Sequence, residues 1–201
     1  MTAKIQSIRG MEDVLPDRSP LWQKFEDATR GIFEQYGYRN IRTPILEPTA
    51  LFVRGLGEVT DIVEKEMYVF DDRNGESLAL RPEATAGIVR SAIEHNFLYN
   101  GPMRVWTVGP MFRYERPQKG RQRQFHQFDV EALGFEGPDV DAEQIVMLAR
   151  LWRTMGLKNV ELQVNSIGDA ADRKAHREKL VAYFEKHASL LDEDSQRRLK
   201  T

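Results

Sequence analysis

Apolar residues at Leu21, Trp22, Phe25, Ala28, Ile32, Phe33 and Tyr36 fall three and four positions apart, and this spacing predicts an amphipathic helix over residues 17–36 that ends at Gly37. The next run, "YRNIRTPILEP", has strand composition but is broken by Pro44, which cannot donate to a ladder and belongs at an edge or an interface. "EMYVF" and "SLALR" flank the turn "DDRNGE", the pattern of a hairpin. The spacing then turns helical over residues 81–97, with Ala86, Val89, Ile93 and Phe97 on one stripe. Two further strand-like runs enclose a basic loop, and Asp141, with Gln144 three residues on, predicts a capped helix running to Gly156. "NVELQV" alternates as a strand, and a charged helical region begins near Asp169. Adjacent hairpins interleaved with helices predict an α+β fold, an antiparallel β-sheet flanked by helices.

Composition narrows the function classes. With 201 residues and 41% hydrophobic content the chain can bury a core as one domain. A formal charge of −2 carries no global bias toward nucleic acid, so any polyanion surface must be local. The absence of cysteine excludes disulfides, zinc–thiolate sites and a cysteine nucleophile. The N-terminus has no apolar signal region and no run reaches membrane-spanning length, which predicts a soluble, cytoplasmic protein with no membrane partner.

The chemistry concentrates in "FRYERPQKGRQRQFHQFDVEALG", which starts at Phe112. A hairpin needs only a couple of turn residues, yet this connection carries Arg116, Lys119, Arg121 and Arg123 with no acid among them. Side chains alternate across a strand. The second run therefore puts Phe125, Gln127, Asp129 and Glu131 on one face and His126, Phe128, Val130 and Ala132 on the other. Arg113, at the end of the first run, reads either as a cross-strand partner of Asp129 or Glu131 or as a phosphate ligand, since a guanidinium offers a planar, permanently charged donor fork. In "LALRPEATA", Glu83 and Thr85 fall where a strand turns through Pro82 into a helix; an acid there also suits the helix dipole. There is no P-loop, "GLGE" is no dinucleotide fingerprint, no serine elbow occurs, and the four histidines lack metal spacing. No metal site is predicted from the sequence, and His126, on the apolar face, reads as structural.

These segments resemble the class II aminoacyl-tRNA synthetases, and among them the N-terminal catalytic part of the bacterial histidyl enzymes. "RGMEDVLP" is similar to that family's opening, "IRTPILEPTALFVRGLGE" with the helix before it to motif 1, "ALRPEATA" to the amino-acid-binding turn, and the basic hairpin to motif 2. The likeness runs over essentially all of residues 1–201, whereas the family's histidine-specific segment, motif 3 and C-terminal anticodon-binding domain have no counterpart here. The chain thus reads as the N-terminal part of a catalytic domain.

The resemblance implies a histidine–tRNA ligase that joins histidine to ATP and passes it to tRNA(His), with Mg2+ arriving alongside the ATP. It implies that Arg113 is the catalytic residue, on the α-phosphate, and that Glu115, Arg121 and Phe125 also bind ATP. Glu83, Thr85, Gln127 and Glu131 would bind histidine. Arg116, Gln118 and Arg123 would meet the tRNA, and a homodimer would form through motif 1. The main rival is a non-catalytic, synthetase-like regulatory subunit of histidine biosynthesis, which would have no use for the long cationic loop. A threonyl, prolyl or glycyl ligase fits "LRPE" and "HQFDVE" less well, and a plain RNA-binding module would not need the polar strand face.

Overall fold

The computed structural model describes residues 4–56, 62–166 and 168–199. The chain divides into two compact units, residues 1–158 and 159–201. Gly57 and Glu58, at the end of the motif 1-like segment, lie outside the described residues.

In the first unit, α1 (Ser19–Gln35) carries Pro20 in its first turn, where a missing N–H is harmless, and buries Thr29, Ile32 and Phe33. Gly37 adopts φ +78°, a conformation that a β-carbon would strain, and turns the chain out of the helix. Pro44 then divides the following run into two strands, β1 (Arg39–Asn40) and β2 (Leu46–Pro48). After α2 (Thr49–Leu56) comes the hairpin of β3 (Val69–Asp71) and β4 (Ser77–Leu80). Its turn closes because Asp72 Oδ1 accepts from the backbone N–H groups of Asn74 and Glu76, at 2.7 and 2.9 Å, while Gly75 supplies φ +85°. Helix α3 (Thr85–Glu94), the long hairpin β5 (Met103–Phe112) and β6 (Gln124–Leu133), and helix α4 (Asp139–Thr154) complete the unit.

The α+β class holds, with one refinement. The strands form two three-stranded sheets, ordered β1-β5-β6 and β2-β4-β3. All pairings are antiparallel except β1 with β5. Each half of the proline-broken run lies at an edge, where a short strand exposes few unpaired backbone groups. Strands β5 and β6 run in continuous register from Met103↔Leu133 to Phe112↔Gln124. Their alternation creates two cores. The face bearing Trp106, Val108, Phe128 and Val130 packs with Ile32 and Phe33 of α1 and with Met147 and Leu151 of α4. The opposite face brings Val105 and Met111 against Ala84 and Ile88, with Phe125 alongside.

Three expectations are corrected. The stripe assigned to α3 is its outer side: Val89 and Ile93 are 39% and 76% exposed, while Gly87, Ile88 and Ser91 are buried. The helix turns its small residue inward because Thr43 and Glu47 lie close against Gly87, where an added β-carbon would sit 3.2 Å from Thr43 Oγ1. Asp141 is no cap; α4 starts at Asp139, after Pro138, and both acids lie in its first turn, where the helix dipole favours them. "NVELQV" forms no ladder among the described residues, and Val160, Leu162 and Val164 are exposed. Alternation supplies a strand's two faces but not the neighbouring edge that a strand needs.

The second unit contains α5 (Ala170–Lys186) and α6 (Glu193–Leu199). Helix α5 begins with a reciprocal cap: Asp169 accepts from the backbone of Ala171 and Asp172, and the Asp172 carboxylate accepts from the Asp169 N–H.

Candidate active site

The strand-to-helix turn at residues 81–85 joins the two sheets. Arg81 is 5% exposed, and its backbone N–H donates to the Ile45 carbonyl. Its Nε donates to the Pro110 carbonyl and its Nη1 to the Thr43 carbonyl, both at 3.0 Å. Burial pulls this guanidinium below its ordinary pKa, against the opposing influence of Glu47. Space for it exists because residue 109 has no side chain: a β-carbon on Gly109 would fall 2.2 Å from Arg81 Nη2. Neither Arg81 nor Gly109 was picked out from the sequence; their pairing depends on a contact between strands 28 residues apart in number.

Beyond Arg81 the backbone turns through Pro82 into α3. Glu83 is 9% exposed, and its Oε1 accepts from the Ala86 N–H at 2.9 Å, so it closes the helix start. Thr85 is exposed, and with Leu51, Arg54 and Val89 it lines a cavity between α2 and α3 of about 680 Å³, which Glu83 also reaches.

The Pro82 carbonyl accepts from Arg113 Nε at 2.9 Å, and the Arg113 guanidinium lies 5.2 Å from the centre of the Phe125 ring. The two segments that carry the family likeness therefore meet at Arg113. Among the described residues Arg113 pairs with no carboxylate, so the cross-strand salt bridge to Asp129 or Glu131 is not formed. Phe125, Gln127, Asp129 and Glu131 share one face of β6, opposite Met111, Gly109, Thr107 and Val105. Gln127 Oε1 and Asp129 Oδ2 are buried and have no hydrogen-bond partner among the described residues. Burial, then Glu131 and Glu83, push the Asp129 carboxyl up to about 7, against a bond from the Val130 backbone.

The loop is less unbalanced than its composition suggests. Glu115, mostly buried, reaches Arg121 at 3.1 Å, so two residues expected at ATP are paired with each other. Gln118 and Arg121 exchange backbone hydrogen bonds around Gly120, at φ +81°. Arg123 lies over the Tyr114 ring at 3.9 Å and donates Nε to the Glu115 carbonyl at 3.1 Å. The guanidinium of Arg123, which the resemblance places at the tRNA, is thus held by the loop itself. Arg116, Gln118 and Lys119 are exposed at the loop's outer part. His126 packs on Trp22 at 4.8 Å between ring centres and is otherwise exposed. Among the described residues no group of three or more His, Asp or Glu side chains is arranged to hold a metal ion. No helix among them is long and apolar enough to cross a membrane.

The "RGMEDVLP" segment secures the loop. The Gly10 carbonyl accepts from Arg123 N at 2.8 Å and Gln124 N at 3.0 Å, and Gln122 donates to Glu12 at 3.1 Å. Gly10 has φ +84°, and a β-carbon there would meet Pro117 Cγ at 2.9 Å. Gly10→Ala is expected to add strain of roughly 1–2 kcal/mol. Limited trypsin digestion after Lys119 and Arg121 should then run about tenfold faster, with a melting shift of only a few degrees. Unchanged cleavage would show that the segment does not brace the loop.

The family model described as histidyl-tRNA synthetase matches residues 10–187. The chain is 64% identical to the histidine–tRNA ligase of Bordetella avium over 199 residues, which cover 98% of this chain and 46% of that relative. It is 62% identical to the ligase of Methylobacillus flagellatus, covering 99% of this chain and 48% of the relative. The solved apo histidyl-tRNA synthetase of S. aureus superposes with a TM-score of 0.75 at 42% identity, over 98% of this chain and 47% of that one. A Bacillus halodurans structure titled as an ATP phosphoribosyltransferase regulatory subunit/histidyl-tRNA synthetase shares the fold, with a TM-score of 0.72 at 22% identity over 99% of this chain and 56% of that one. The chain spans about half the length of the curated relatives it matches.

Proposed function

The chain belongs to the histidyl-tRNA synthetase family, and on that premise we propose that its site activates histidine with ATP and delivers it to tRNA(His). The observation that carries this reading is Arg113. It is anchored by its Nε to the Pro82 carbonyl, set beside the Phe125 ring, and neutralised by no carboxylate among the described residues. In the first step the histidine carboxylate attacks the α-phosphorus of ATP, the bond to the bridging oxygen breaks, and pyrophosphate leaves. Negative charge builds on the α-phosphate oxygens. A guanidinium already fixed there stabilises that charge without reorganising. Phe125 stacks on adenine, Glu115 positions the base, and Arg121 exchanges its Glu115 partner for the terminal phosphates. Glu83 and Thr85 take the α-ammonium group, and Gln127 and Glu131 receive the imidazole N–H groups. Mg2+ would enter on the phosphate oxygens of ATP, a hard cation on oxygen ligands. The direct test is formation of histidyl-tRNA by a full-length ligase that carries this chain. The regulatory reading leaves Arg113, neutralised by no carboxylate among the described residues, and an intact cationic loop without a task.

For the tRNA, the exposed Arg116 and Gln118 are the stronger agents, since Arg123 is engaged inside the loop. A cation on phosphate confers affinity that weakens with salt, whereas an amide can read a base edge. Gln118→Ala in the full-length ligase should slow aminoacylation by about tenfold, the 1–3 kcal/mol scale of one base contact, and leave ATP–pyrophosphate exchange within about twofold. Unaltered transfer would restrict the loop to the nucleotide.

The motif 1 region supports a homodimer. Leu21, Ile45 and Leu46 are exposed around two short edge strands. Sedimentation at micromolar concentration should report a dimer, and a monomer would count against this assignment.

A further inference from the structure

The polar face of β6 holds one more carboxylate than the assigned roles use. Asp129 lies between Gln127 and Glu131 on the same face, opposite Thr107, which has no charge to offer it. Its Oδ2 is buried without a partner among the described residues, and so is the neighbouring Gln127 Oε1. Two adjacent acceptors on one strand face, both shielded from water and both unused, point to a donor that arrives from outside the chain. The charged groups around Asp129 can be assigned element by element. Glu131 shares its strand, and Glu83 faces it from the start of α3. Arg81, the cation over Gly109, directs its Nε and Nη1 to the Pro110 and Thr43 carbonyls. Arg113, farther along the sheet, is turned to Pro82 and Phe125. With all three carboxylates ionised, the floor would concentrate negative charge in a partly buried place. The economical state of the floor without a cationic ligand is one in which Asp129 keeps its proton.

We propose that Asp129 is a substrate-positioning residue of the histidine pocket: it accepts a hydrogen bond from the α-ammonium group of the bound amino acid, beside Glu83, and the entry of that already charged group expels the Asp129 proton to solvent. The inference rests on reading this floor as the histidine pocket. Its balance is simple, since a carboxyl O–H breaks, the proton passes to the buffer, and the ligand N–H takes its place at Oδ2. The carboxyl's position near 7 puts the event in the physiological range. At pH 7 loading should therefore release about half a proton per site.

The test is calorimetry of L-histidine binding to the full-length ligase at pH 7, in phosphate and in Tris, whose ionisation enthalpies differ. The proton count follows from the difference between the two heats. Asp129→Asn keeps the side-chain shape and cannot ionise, and the subtraction cancels the ligand's own ionisation. The expected result is that the unaltered protein releases about half a proton more than Asp129→Asn, which binds histidine several-fold more weakly. Equal proton counts with histidine still bound would overturn the role of Asp129 and leave the histidine pocket standing, even if affinity changed, because a structural role alone does not move the count. Failure of the unaltered protein to bind histidine, with another amino acid bound instead, would overturn the pocket reading and this inference with it.

Discussion

Arg113→Ala in a full-length ligase is expected to lower histidine-dependent ATP–pyrophosphate exchange by at least about a hundredfold while histidine still binds. The magnitude comes from removing one fixed charged donor from a transition state, a loss on the order of 3 kcal/mol or more. The alternative that the sequence left open, a salt bridge to Asp129 or Glu131, would have made Arg113 a stabilising residue. The structure assigns it other company, the Pro82 carbonyl at 2.9 Å and the Phe125 ring. Losing that one bond should cost about 1 kcal/mol of stability, a melting shift of a few degrees. Exchange and melting temperature measured on the same preparation separate the two accounts. Near-normal exchange in a markedly destabilised protein would remove Arg113 from the chemistry.

Gly109→Ala is expected to destabilise the first unit by about 2–4 kcal/mol, although it adds a single methyl group. The new carbon would fall 2.2 Å from Arg81 Nη2. A guanidinium at the end of an exposed arginine would swing away at small cost. Arg81 is 5% exposed and donates to the carbonyls of Thr43 and Pro110, so moving it breaks charge-assisted bonds in a buried place. On the scale of a domain this size the melting midpoint should fall by roughly 5–15 °C. A double-mutant cycle with Arg81→Met isolates the cause: if the collision is responsible, Gly109→Ala costs much less once the guanidinium is gone. Equal costs in both backgrounds would assign the effect to the strand backbone.

The long hairpin was legible because its information is local. The alternation of the second run specifies which side is polar, and the structure keeps Phe125, Gln127, Asp129 and Glu131 together, although β5 ends at Phe112, before Arg113 and Glu115. Helix α1 was legible for the same reason, since its spacing and Gly37 both lie within one stretch of chain. The inward side of helix α3 is not legible because it is set by a distant contact: Gly87 faces inward where Thr43 and Glu47 approach, Ile88 and Ser91 are buried, and Val89 and Ile93 turn out. Pro44 is legible as an interruption, but its separation of β1 and β2 into different sheets depends on partners 30 to 66 residues away. The loop's internal pairings escaped notice because an acid outside it, Glu115, folds back onto Arg121. The bracing role of Gly10 was equally hidden, as it rests on contacts more than 100 residues apart in number.

The central claim is that this floor recognises histidine and that Arg113 acts on the α-phosphate of ATP. The measurement that tests it most directly is ATP–pyrophosphate exchange by a full-length ligase carrying this chain, run with each of the twenty amino acids in turn. The account predicts exchange with histidine alone, abolished by Arg113→Ala. Exchange driven by another amino acid, or none with histidine from a folded protein, would contradict it.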